Sequence, residues 1–240
     1  MTGHFTRPTT DFWQEILPAD HPAGNAAPPF RYGYPARLPD GRILVQPLRQ
    51  LPDGDRAVAS LIANHASFAV NDALSDIMAG LAEGADVVVG MPTLGLVYAP
   101  EMARRLGHAN YVPLGYSRKF WYEDALSEPV RSLTTPGAGK RVYVDPNALP
   151  RLEGKRVVLV DDAISTGGTM VSVLTLLARL GCVPERIVVA MRQGTAWRET
   201  LAAVDPAMPG RVRSAFASPL FTRVENGWMP VPGSLDHSPM

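Results

Sequence analysis

The chain predicts an α/β fold with a mostly parallel sheet covered on both faces, and three observations carry that expectation. Short β-branched runs alternate with segments of helical period. The runs are apolar at successive positions, as strands buried on both sides require. The motif-bearing turns fall after the carboxyl ends of these runs, where ligands sit in such sheets.

In chain order, residues 1 to about 40 carry Pro18, Pro22, Pro28, Pro29, Pro35 and Pro39. Proline removes donors and restricts its neighbour, so little regular structure is expected there. Arg42–Gln46 (RILVQ) reads as a strand. In Phe68–Leu81 the apolar residues Val70, Ala73, Leu74, Ile77, Met78 and Leu81 recur at helical spacing. Asp86–Val89 is a buried strand, followed by the turn Gly90-Met91-Pro92-Thr93-Leu94-Gly95 and a helix to about Leu106. Met91-Pro92 is a candidate cis bond, on the proline alone. Tyr111–Leu114 and Arg141–Val144 read as strands. Arg156–Val160 (RVVLV) is a continuous apolar strand, and Met170–Leu180 a helix stopped by Gly181. Arg186–Ala190 is another strand, and Arg211–Phe221 one more. The stretch from Pro230 reads as a flexible tail. The expected organisation is a proline-rich segment 1–40 that is a candidate for part of a small hood, a main α/β domain 41–229 and a flexible tail 230–240.

Composition excludes more than it selects. The 240 residues are 46% hydrophobic and 19% charged, with 23 basic against 23 acidic side chains. Zero net charge gives no global field toward nucleic acid or an anionic membrane, so an anionic ligand needs a local site. Cys182 is the sole cysteine, which rules out an intramolecular disulfide or a cysteine-based zinc site and reads as packing. The N-terminus lacks the pattern of a secretory signal, and no apolar run approaches membrane-spanning length. A cytoplasmic location is expected, with no membrane or nucleic-acid partner.

Arg156 to Thr169 carries the chemistry. A buried strand ends in Asp161 and Asp162, and a loop of Ser165, Thr166, Gly167, Gly168 and Thr169 opens directly into a helix. Free amides at a helix start, aided by the helix dipole, form an anion nest. Glycine lets the backbone approach closely, and hydroxyls add donors. Two acids beside a phosphate nest would repel it. They fit a ligand that also presents hydroxyl donors or a cation such as Mg²⁺. A sugar phosphate meets both demands. Capping alone would explain Asp and Ser here, but not the acid pair with the whole S-T-G-G-T loop.

VVLVDDAISTGGTM closely resembles the 5-phosphoribosyl-1-pyrophosphate (PRPP) signature of type I phosphoribosyltransferases, and weaker agreement in order and spacing extends over about residues 40–225. The resemblance implies that family's fold, with a small hood over a nucleobase. It implies that Asp161 and Asp162 face the ribose hydroxyls and that Ala163 to Thr169 wrap the 5′-phosphate. It implies a second loop for pyrophosphate, with Thr93, Leu94 and Gly95 supplying donors. This loop lacks the charged residue that adenine-type relatives carry. The resemblance also implies a closing loop, matched by Gly115 to Lys140 with Arg118, Lys119, Arg131 and Lys140. Arg118-Lys119 resembles the basic pair that neutralises departing pyrophosphate. Mg²⁺ would bind through PRPP, by water to Asp161 or Asp162, with no direct protein ligand. A homodimer is implied.

Phe120-Trp121-Tyr122 reads equally as a loop anchor or a base-stacking surface. Phe30-Arg31-Tyr32 and Ser218-Pro219-Leu220-Phe221 read equally as base contacts or packing, and a purine is the preferred base. Gly137-Ala138-Gly139-Lys140-Arg141 fails as a P-loop, because Thr134 holds the earlier glycine position and no Ser/Thr follows Lys140. His65 and His108 lack ligand-spaced partners and read as surface or packing residues. The expected function is transfer of ribose 5-phosphate from PRPP to a nucleobase. The rivals are a PRPP-sensing regulator without catalysis and a scaffold that keeps only the fold. The first 40 residues are too proline-rich for the DNA-binding module that such regulators add.

Overall fold

The computed structural model describes residues 12–130 and 139–239. Arg131, and Gly137-Ala138 of the P-loop-like stretch, lie outside the described residues. The chain runs β1 (Gly33–Arg37), β2 (Ile43–Gln50), β3 (Arg56–Ala59), α1 (Phe68–Leu81), β4 (Val87–Gly90), α2 (Gly95–Arg105) and β5 (Val112–Pro113). It continues through β6 (Ser127–Pro129), β7 (Arg141–Tyr143), α3 (Leu149–Leu152), β8 (Val157–Ile164), α4 (Gly168–Arg179), β9 (Arg186–Gln193) and α5 (Ala196–Ala202). It closes with β10 (Val212–Ser218), β11 (Leu220–Val224) and β12 (Gly227–Pro230).

The central sheet has the order β10-β9-β8-β4-β5, and every pairing in it is parallel. Its strands are apolar on both faces, as the sequence requires. Val158, Val160, Val188 and Ala190 enter one core with α1 and α2. Val157, Leu159, Ile187 and Val189 enter the opposite core with α4 and α5. Burial on both sides fixes the strand register, since a slip by one residue would exchange the two faces. Ser67 caps α1 by accepting the Val70 amide at 3.2 Å.

A second sheet, β1-β2-β3-β11-β12, is antiparallel throughout. It encloses its own small core of Phe30, Leu48, Ala57, Ala59, Phe221 and Trp228. It joins the central sheet at Pro219, where the predicted single strand Arg211–Phe221 breaks into β10 and β11. Proline cannot donate to a ladder, and the chain changes sheets there. The second sheet therefore stands at the carboxyl end of β10, the end at which ligands sit in open parallel sheets.

Both chain ends differ from expectation. The proline-rich segment contributes β1, with Pro35 on an edge strand where its missing donor costs little. The Trp13 side chain is buried, and its Nε1 donates to Gln46 Oε1 at 3.2 Å and the Ser60 carbonyl at 3.0 Å. The tail beyond Pro230 is pinned rather than frayed. The Asp236 side chain is 3% exposed, 2.9 Å from Arg198 and 3.6 Å from Arg192, which is itself 1% exposed. Burial raises the Asp236 carboxyl, but hydrogen bonds from Ser238 and the charges of Arg192 and Arg198 outweigh it and hold the group below its ordinary range. Arg141–Val144 also departs from its expected place. It pairs with β6 in a separate ribbon, tied to the main sheet's edge by the Gly115–Tyr143 bridge.

Candidate functional site

β8 runs through both acids to Ile164 before the chain turns into α4. Asp161 pairs with Val189 and Ala163 with Met191 on β9. Ala163 is therefore a strand residue, and the turn itself begins at Ser165. Gly167 is the residue before the helix and has φ 82°. A Cβ there would also stand 3.3 Å from the Thr200 Cβ of α5. Left-handed backbone and crowding both select glycine. No side chain caps α4, and the bond that closes its first turn is Val171 N to Gly167 O at 2.9 Å. Among the described residues, the amides of Ser165, Thr166, Gly167, Gly168 and Thr169 are given to no internal acceptor. Five donors at a helix start are thus available to an anion.

The two acids stand immediately before this nest. Asp161 Oδ1 accepts the Asp162 amide at 2.9 Å, and the Ala163 amide is directed at the Asp162 carboxylate. Burial raises the Asp161 carboxyl well above its ordinary range, and the charge of Asp162 adds to the shift. Burial raises Asp162 as well, against the opposing hydrogen bond from Asp161. Two partly buried carboxylates this close cannot both ionise cheaply. They are relieved by hydroxyl donors or by a hard cation. Among the described residues no third His, Cys, Asp or Glu joins them to make a metal cage. An oxygen-seeking ion would fit here only by taking further oxygens from a bound ligand.

The loop after β4 reaches the same place from the adjacent strand. Gly95 opens α2 against β8 so closely that a Cβ on it would lie 2.7 Å from the Val160 carbonyl oxygen and 3.0 Å from Asp161 Oδ1. Its amide points at the Asp161 carboxylate. Gly95 thus serves the acid pair, which differs from the expectation that it donates to pyrophosphate alongside Thr93 and Leu94. Thr93 is exposed and Leu94 partly buried at the helix entrance. The expected cis bond at Met91-Pro92 falls one bond later, at Pro92-Thr93, and Pro28-Pro29 is also cis.

The expected basic pair is not gathered at this site by any described contact. Arg118 is exposed and 3.1 Å from Asp124, and Lys119 is exposed. Phe120 is 97% exposed, while Trp121 Nε1 donates to Asp145 at 3.2 Å. Of that aromatic trio, Trp121 and Tyr122 anchor the loop, Tyr122 through Asp145 and the Tyr143 ring.

Two tyrosines belong with the acids and were not singled out from sequence. Tyr116, just past β5, is raised to about 12, first by burial and then by the charges of Asp161 and Asp162. Tyr98 on α2 is wholly buried, its phenol raised by burial and by Asp162, and its hydroxyl has no hydrogen-bond partner among the described residues. Both remain protonated donors at neutral pH. Tyrosine at these positions carries no motif, so only the fold reveals them.

Of the candidate base contacts, Phe30 and Phe221 are packing residues, whereas Arg31 and Tyr32 are exposed. Phe30 and Phe221 are buried with ring centroids 6.2 Å apart, and Tyr34 meets each edge-on. His108 Nε2 lies 2.9 Å from the Ala85 carbonyl, and His65 packs edge-on against Trp13.

A parallel sheet with an open amide nest and an acid pair at its carboxyl end is the site geometry that the chain presents. A sequence profile of the phosphoribosyl transferase domain matches residues 58–205, and the chain belongs to that family. Similar proteins include adenine phosphoribosyltransferase of Novosphingobium aromaticivorans, 35% identical over 104 residues, 42% of this chain and 52% of that protein. The Acidobacterium capsulatum protein of the same name is 30% identical over 129 residues, 52% of this chain and 64% of its own length. The chain thus spans less than two thirds of the length of these relatives. In fold it is similar to the Giardia lamblia APRTase solved with 9-deazaadenine. That match has a TM-score of 0.55 at 21% identity, over 71% of this chain and 93% of the other.

Proposed function

We propose that the chain transfers ribose 5-phosphate from PRPP to a ring nitrogen of a nucleobase and releases pyrophosphate. The observation that carries this reading is the β8–α4 junction, with its open amides beside two strained acids. The relatives bear the name adenine phosphoribosyltransferase, which favours a purine.

In this reading the amides and hydroxyls of Ser165 to Thr169 hold the 5′-phosphate. Asp161 and Asp162 accept the ribose hydroxyls and place negative charge near C1 as it becomes cation-like. The C1–oxygen bond to pyrophosphate breaks, a C1–nitrogen bond forms, and the proton lost by the base nitrogen leaves to solvent. Thr93 and Leu94 line the pyrophosphate side. Mg²⁺ carried by PRPP would neutralise leaving-group charge, with Asp161 or Asp162 as its protein-side oxygens through water. The protein orients both reactants and needs no covalent nucleophile. The antiparallel sheet serves as the hood over the base and includes β1 from the proline-rich segment.

A homodimer is part of the proposal, as is a cytoplasmic location. No helix of the described residues is long and apolar enough to cross a membrane. The test is pyrophosphate release from PRPP and Mg²⁺ across a panel of purines and pyrimidines. Base-dependent release supports the reading. Tight PRPP binding with no turnover on any base would overturn it in favour of a sensor.

A further inference from the structure

We infer that Lys140, seated on the ring of Tyr116, is the side-chain cation that meets the diphosphate of the substrate. The inference rests on the proposed use of PRPP and assigns to Lys140 the role expected of Arg118 and Lys119.

The fold brings this residue to the site from a distance in sequence. Gly115 and Tyr143 exchange both backbone hydrogen bonds, at 3.1 and 2.8 Å. That bridge holds the end of β7 beside the carboxyl end of β5, next to β4 and its Thr93 loop. Lys140 stands one residue before β7, and its carbonyl accepts the Val130 amide at 2.9 Å. Its Nζ lies 3.6 Å from the centroid of the Tyr116 ring. Tyr116 is close enough to the acid pair to sense both charges. An ammonium on an aromatic face is oriented without being neutralised. Among the described residues, no carboxylate lies within ion-pair distance of it.

The neighbouring arginines are already engaged, and Lys119 is exposed with no described side-chain contact to orient it. Arg118 is 3.1 Å from Asp124 and Arg179 is 2.7 Å from Glu128. The Arg141 guanidinium donates to Ser127 Oγ and to the Ser127 carbonyl. The loop Met91-Pro92-Thr93-Leu94 has no charged side chain. A diphosphate entering beside Asp161 and Asp162 needs a counter-charge, and Lys140 is the cation placed to supply it.

The test is calorimetric titration with PRPP, pyrophosphate and ribose 5-phosphate, each with Mg²⁺. The proteins compared are wild type, Lys140→Met, Lys140→Arg and Arg118→Met. Lys140→Met should weaken PRPP and pyrophosphate about tenfold or more while leaving ribose 5-phosphate within about twofold. Lys140→Arg should restore most of the loss, and Arg118→Met should stay within about twofold of wild type. Tyr116→Leu, which removes the aromatic face, should imitate Lys140→Met. Equal weakening toward ribose 5-phosphate, or a loss confined to Arg118→Met, would overturn the assignment while leaving the transferase reading standing. A wild type that binds ribose 5-phosphate but not PRPP would overturn both.

Discussion

A Cβ placed on Gly95 would stand 2.8 Å from the Cα of Asp161, so the first turn of α2 and the end of β8 meet with no room for a side chain. This contact aims the Gly95 amide at one acid of the pair and sets the second loop beside the first. Gly95→Ala must push helix from strand, costing about 1–3 kcal/mol. The expected result is a lower melting temperature together with a larger fall in PRPP affinity than other destabilised variants show. Calorimetry and thermal unfolding check it together.

Asp161 and Asp162 should cost the fold stability in return for their function. Both carboxyls are raised in the folded state, so the fold is favoured below the ordinary carboxylate pKa and loses stability as pH rises through the raised values. The double variant Asp161→Asn, Asp162→Asn should therefore melt higher than wild type at neutral pH. That gain should vanish below about pH 4. Turnover should fall by about a hundredfold or more. Thermal unfolding across pH, read beside the pyrophosphate assay, separates the two effects. Unchanged turnover would reject the role of the acids.

The Tyr98 hydroxyl is buried without a partner among the described residues, an arrangement that costs about 1–3 kcal/mol. Tyr98→Phe should leave stability unchanged or raise it. A loss of more than about 1 kcal/mol in chemical denaturation would show that the hydroxyl is satisfied in solution.

Asp236 should behave in the opposite sense. Its carboxyl is held low, so its contribution is present above the ordinary carboxylate range and is lost as pH falls through the depressed value. Asp236→Ala removes the carboxylate that faces the buried Arg192 and also pairs with Arg198, and should cost about 3 kcal/mol. Limited proteolysis should then cut first beyond Pro230, a segment that resists in wild type.

What could be read from sequence was local. The α1 boundaries follow from apolar spacing within 14 residues, and the cradle follows from an unbroken stretch whose strand, acids and glycines are adjacent. What escaped depends on distant pairing. Arg198 and Asp236 are 38 positions apart, and neither looks unusual in its own neighbourhood. Ala163 was expected in the phosphate loop because the motif is continuous, yet its pairing with Met191 extends the strand beneath it. Lys140 was visible only as one of several cations in a long loop. Its approach to Tyr116 comes with the Gly115–Tyr143 bridge, which no period encodes.

The most direct measurement follows the backbone amide signals of the labelled protein by NMR as PRPP and Mg²⁺ are added. The largest displacements should fall on Ser165, Thr166, Gly167, Gly168 and Thr169, with the wild type saturating. Binding that leaves those five signals in place and moves others would contradict the account at its root.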